Sequence, residues 1–113
     1  MTGLAIVVTH VLKAGHEEAF DALMLRTLES IRAEEPGTVI YASHTVPGKP
    51  ELRIFYELYR DRAAFEAHEA HAHIQHFLAE RLTHIESVDV EFLDLVSGHA
   101  QPLRADGPAE PAR

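Results

Sequence analysis

Tyr56 to Phe77 reads YELYRDRAAFEAHEAHAHIQHF. Tyr56-Glu57-Leu58-Tyr59 closes a strand, being rich in aromatic and large side chains, and Asp61 is a good N-cap for the helix that follows at once. That helix carries His68, His71, His73 and His76. Imidazole is the side chain best able to take or give a proton near neutral pH, so this segment is where chemistry is to be sought.

Outward from it, the chain reads β-α-β-β-α-β. Leu4 to Val11 is apolar and β-branched, a strand by composition. After Gly15, Glu17 and Glu18 suit a first helical turn, where the positive dipole end favours carboxylates. Phe20, Leu23, Met24, Leu28 and Ile31 recur at helical spacing and make one apolar stripe. Glu35-Pro36-Gly37 stops that helix. Thr38 to Val46 and Leu52 to Tyr59 form a hairpin about the turn Pro47-Gly48-Lys49-Pro50. The second helix runs toward Ile85 with an apolar stripe of Phe65, Phe77, Leu78 and Leu82. Ser87 to Val96 is the fourth strand, with Val88, Val90 and Phe92 on one face. The folded domain is expected over residues 1–96. Residues 97–113, rich in Ala, Pro, Gly and charge, are expected to be a disordered tail.

Both faces of the strands are apolar. Leu4, Ile6 and Val8 oppose Ala5, Val7 and Val11, and Ile54, Tyr56 and Leu58 oppose Phe55 and Tyr59. Two helices cover one face of a four-stranded sheet, and a wet second face would alternate with polar residues. A second copy of the chain is therefore expected to cover it, giving a homodimer.

Composition narrows the partners. The net charge is −8 with histidine neutral, and Lys and Arg do not cluster, which argues against nucleic acid and anionic membranes. There is no cysteine, excluding disulfides, thiolate catalysis and cysteine metal sites. Neither a signal peptide nor a membrane span is evident, so a cytoplasmic protein is expected. A metal site is not expected either. On one unbroken helix His71, His76 and His73 lie at about −60°, +80° and +140° from His68, too far apart to converge on one ion without a break.

The ordered set Glu35-Pro36-Gly37, Tyr41, Tyr56-Glu57, Tyr59-Arg60-Asp61, Ala64-Phe65, His68, His73 and Phe77 resembles the antibiotic biosynthesis monooxygenase family over residues 3 to 96. The resemblance implies a ferredoxin-like α+β unit that pairs sheet to sheet into a dimeric α+β barrel, with a ligand cavity between sheet and helices. Similar proteins include cofactor-independent oxygenases that turn phenols, anthrones or quinols into quinones, haem-degrading enzymes, an isomerase of a phosphorylated signal, and proteins without known activity. The haem-degrading branch relies on Asn, Trp and His. This chain has neither Asn nor Trp, and His68 stands where that branch has its Trp, which argues against haem degradation and places His68 toward the cavity.

The resemblance thus implies an oxygenase without a cofactor acting on a small apolar or aromatic ligand. Such an enzyme holds a flat substrate, removes its proton and keeps out water. His68 and His73 are the candidate bases. His10, Tyr41, His44, Tyr56, Glu57, Tyr59, Phe65 and Phe77 are candidates for binding substrate, although strand alternation prevents all from sharing one pocket. For His68 and His73 to share one cavity, the helix must break near His71-Ala72. A non-oxidative enzyme such as an isomerase, or a binding module on the same scaffold, stays open.

Overall fold

A computed structural model describes residues 3–99. The elements are β1 (Leu4–Leu12), α1 (Glu17–Glu34), β2 (Thr38–Val46), β3 (Lys49–Tyr59), α2 (Arg62–Ala70), α3 (Ala72–Glu80), a 3₁₀ turn (Arg81–Thr83) and β4 (Ile85–Leu93). The strands form an antiparallel sheet in the order β2-β3-β1-β4. This is the α+β, ferredoxin-like arrangement expected from the sequence. No helix among the described residues is long and apolar enough to cross a membrane. Of the tail expected over residues 97–113, residues 100–113 lie outside the described residues, and Asp94 to His99 are in neither helix nor strand.

Strand alternation decides which side chains meet the helices. Ile6, Val8, His10 and Leu12 of β1 are buried, as are Arg53, Phe55, Glu57 and Tyr59 of β3. Phe20, Leu23, Met24, Thr27 and Ile31 of α1 pack down on them, with Ile74 and Phe77 of α3 beside. Phe20, Phe55 and Phe77 form the centre, their ring centroids 5.9–6.1 Å apart. Burying each such ring contributes about 1.5–3 kcal/mol. Arg53 grips Asp21 with two bonds, Nε to Oδ1 at 2.8 Å and Nη2 to Oδ2 at 3.0 Å, and ties α1 to β3.

Two local features position the site. Gly37 is buried at the foot of α2, and a Cβ there would come within 2.6 Å of the Ala64 Cβ. Only glycine lets the turn after α1 sit this close to α2. Arg60 N–H also bonds the Gly37 carbonyl at 2.9 Å. The second feature is the helix break. Asp61 caps α2, accepting from Ala64 N–H at 2.8 Å. His71 is then extended at φ −68°, ψ 141°, and α3 begins afresh at Ala72. The break falls where the two histidines required it.

The fourth strand differs from expectation in its limits. The chain tightens into the 3₁₀ turn at Arg81, and β4 already begins at Ile85, where Lys13 N–H bonds the His84 carbonyl at 2.9 Å. The same turn carries Leu82 out of the expected apolar stripe to 63% exposure. Residues facing one another across antiparallel strands share a face. Val88, Val90 and Phe92 pair with His10, Val8 and Ile6, so they lie on the helix side of the sheet.

Candidate functional site

Glu35 is the hub. It follows α1 and is buried, its carboxylate pointing inward beneath α2 and α3. Oε1 accepts from Thr38 Oγ1 at 2.7 Å and meets His68 Nδ1 at 2.6 Å. Oε2 meets His73 Nε2 at 2.5 Å. Burial works against ionisation, but the bonds from His68, Thr38 and His73 outweigh it and hold this carboxyl below its ordinary range. An ionised carboxylate only accepts, so both imidazoles present N–H to it. His68 in its neutral form then carries its lone pair on Nε2. A base whose other nitrogen is fixed by a carboxylate is the orienting arrangement that general-base catalysis uses.

His68 borders a cavity of about 250 Å³ between the sheet and α2–α3. Ile6, Val8, Phe55, Phe65, Ile74, Phe77, Leu78, Val90 and Phe92 make its apolar wall, and Tyr41, Glu57, His68, Glu69 and Arg81 supply its polar groups. The His68 ring lies between Tyr41 and Tyr59, with centroids at 5.4 and 4.9 Å. Arg81 is a half-buried cation with no carboxylate in salt-bridge range among the described residues. Its Nη1 donates to His10 Nε2 at 3.1 Å, and its Nε has no partner. Burial lowers its pKa, and nearby Tyr41 and Glu57 partly offset this.

Burial tunes the remaining groups. His10 sits among Phe20, Phe55 and Phe77, and burial, then Arg81, lowers its pKa to about 4. It is neutral at pH 7. Tyr59 donates to Glu57 Oε1. Burial, then the Glu57 carboxylate, pushes both the Tyr59 and the Tyr41 hydroxyl upward. Burial also raises Glu57 to about 6, against the favourable bond from Tyr59. This carboxyl binds its proton more tightly in the folded chain, so ionising it costs stability above pH 6. The cost fades as pH falls through 6 toward the ordinary value of 4.5. Glu57→Gln should therefore be more stable than the parent at pH 7, by about 2 kcal/mol, and equal to it below pH 4.5. Urea unfolding of both proteins across this range is the check. An advantage that does not vary with pH would contradict the assignment.

The candidates taken from the sequence divide by position. His68, Tyr41, Glu57, Phe65 and Phe77 line the cavity. His73 reaches the site from the other side, through Glu35. His10 and Tyr59 lie beneath the wall and act on it through Arg81 and Glu57. Two candidates fall elsewhere. His44 pairs with Ile54 on the opposite face of the sheet, is exposed and bonds the Ile54 carbonyl at 3.0 Å. Tyr56 also faces that side, beside Gly3, Ala5, Leu58 and Leu93. The pleat corrects their placement, because residues of opposite parity on one strand cannot share a face: His44 opposes Tyr41 on β2, and Tyr56 opposes Glu57 on β3.

Glu35 and Arg81 were not among the candidates. Glu34-Glu35 at the end of a helix was a usable signal, since the negative dipole end disfavours carboxylates. Arg81 follows Phe77 by four residues, on the inner side of the second helix.

The family model described as antibiotic biosynthesis monooxygenase matches residues 4–80. A search of curated proteins gives no match. Among solved structures, SO0527 from Shewanella oneidensis is 28% identical with a TM-score of 0.75, over 81% of this chain and 89% of that one. PA3566 from Pseudomonas aeruginosa is 25% identical with a TM-score of 0.77, over 86% and 97%. Rv0793 from Mycobacterium tuberculosis is 19% identical with a TM-score of 0.80, over 88% and 100%, a likeness of fold.

Proposed function

The chain belongs to the antibiotic biosynthesis monooxygenase family, and from that premise we propose that it is a cofactor-independent monooxygenase. Its substrate would be a small phenol, anthrone or quinol, oxidised by O₂ to a quinone. The observation that carries this reading is the Glu35–His68 pair, with its oriented base beside a cavity walled by aromatic and aliphatic side chains. At about 250 Å³ the cavity lies below the usual ligand-pocket range of roughly 300–1,000 Å³, which favours a compact ring system.

The residues supply three things. The Phe55, Phe65 and Phe77 side chains hold a flat ring. His68 Nε2 takes the substrate proton while Glu35 steadies the imidazolium that forms. Arg81 faces the oxygen on which negative charge develops, in an apolar surrounding where such attraction is strong. With an anthrone, loss of the methylene proton to His68 gives an electron-rich carbanion. This passes one electron to O₂, and recombination forms a carbon–oxygen bond. The peroxide takes the proton back from His68. Loss of the second C–H proton then breaks the O–O bond, leaving a ketone and one water. Anthrone and O₂ thus balance quinone and water, and the electrons come from the substrate.

The working unit in this proposal is a homodimer joined through the outer faces of the two sheets. The test of the chemistry is incubation with a panel of anthrones and hydroquinones, with and without O₂. Quinone formation with matching oxygen uptake is the expected result. Turnover that proceeds equally without O₂ would replace this reading with proton-transfer isomerisation.

A further inference from the structure

We propose that Glu34, His71 and His73 form a binding site for a divalent transition-metal ion of the zinc type. One ligand atom from each lies within 4.8 Å of the other two. The helix break builds the cluster. His71 occupies the extended residue between α2 and α3, and His73 lies in the first turn of α3. Their rings stack at 4.7 Å with 24° between planes. On a continuous helix, residues two apart would point about 200° from one another.

Three further observations favour an ion. His73 already has the outer partner that metal-bound imidazoles use, since its Nε2–H points to the buried Glu35 carboxylate at 2.5 Å. That bond fixes the ring and leaves a lone pair on Nδ1. Glu34 stands at the C-terminal end of α1, where the helix dipole opposes a carboxylate, and it has no partner among the described residues. It is exposed, so its side chain is free to turn toward an ion. The chain also carries a net charge of −8, which favours cations. Two imidazoles and one carboxylate suit Zn²⁺, Ni²⁺ or Cu²⁺ rather than Mg²⁺ or Ca²⁺, with water completing the set. The site does not rest on the oxygenase reading, although it meets that site at Glu35, whose second oxygen His73 bonds.

Zn²⁺ is the probe, titrated calorimetrically into the full chain after chelator treatment and dialysis. One saturable site per chain is expected. His71→Ala and His71→Gln should weaken it at least tenfold, and Glu34→Gln should weaken it to a smaller degree. His76→Ala should leave binding unchanged. The rival is the His16–His84 pair, whose Nδ1 atoms are 3.0 Å apart, so His16→Ala is included. Absence of a saturable site, or a site that survives both His71 substitutions, would overturn the proposal. So would binding lost in His16→Ala.

Discussion

His68→Ala should lower turnover by roughly 10²-fold or more, the scale of a lost general base, with the loss in kcat rather than KM. The side chain is 3% exposed and bridges Glu35 to the cavity, so its removal also takes one donor from a buried carboxylate. Glu35 keeps Thr38 and His73, and that remaining pair should let the variant fold, though with a lower Tm. His68→Gln separates the two effects. An amide can still donate to Glu35, restoring stability, but it has no basic nitrogen. A variant that is stable yet equally slow assigns the loss to proton transfer. Glu35→Gln tests the positioning role. Its amide can still contact His68 through its oxygen, but its charge no longer steadies an imidazolium, so kcat should fall while substrate affinity holds. Full turnover in either His68 variant would remove this residue from the chemistry.

Strand alternation and helical stripes exposed the β-α-β-β-α-β order, because burial selects residues with the period of each element. The expectation that His68 and His73 share one cavity demanded a break near His71; the extended His71 backbone supplies the break, but only His68 lines the cavity. What they share is a carboxylate, and no local period points from residue 35 to residues 68 and 73. The Glu-Pro-Gly run was legible as a helix stop, yet its carboxylate acts across the fold. The parity rule that separates Tyr56 from Glu57 was also legible, but the sequence did not say which of the two faces the helices. The structure resolves that through Phe55 and Tyr59, whose burial takes Glu57 inward with them. Arg81 stands four residues after Phe77, a spacing that hints at the inner side but does not announce the 3₁₀ turn that carries it.

In solution the chain should have twice its 12.6 kDa mass. The helices leave one face of the sheet uncovered. Val7 and Val11 of β1 and Leu52, Ile54, Tyr56 and Leu58 of β3 line it, each only partly exposed. Leu93, Leu95 and Val96 continue it at 41%, 55% and 97% exposure. A groove of about 500 Å³ runs between Tyr56, Leu58 and Leu93–Val96. A monomer would leave this patch in water, whereas patches of more than a few hundred Å² are rare on monomers. Pairing two such sheets should bury on the order of 2,000 Å² or more in total. Light scattering at micromolar concentration is the measurement. Ile54→Arg, at the centre of the face and away from His68, should shift the protein to a monomer by placing an unpaired charge in the interface. If the parent chain is monomeric, the apolar outer face has another cause. If Ile54→Arg remains dimeric, the chains join by a surface other than the sheet.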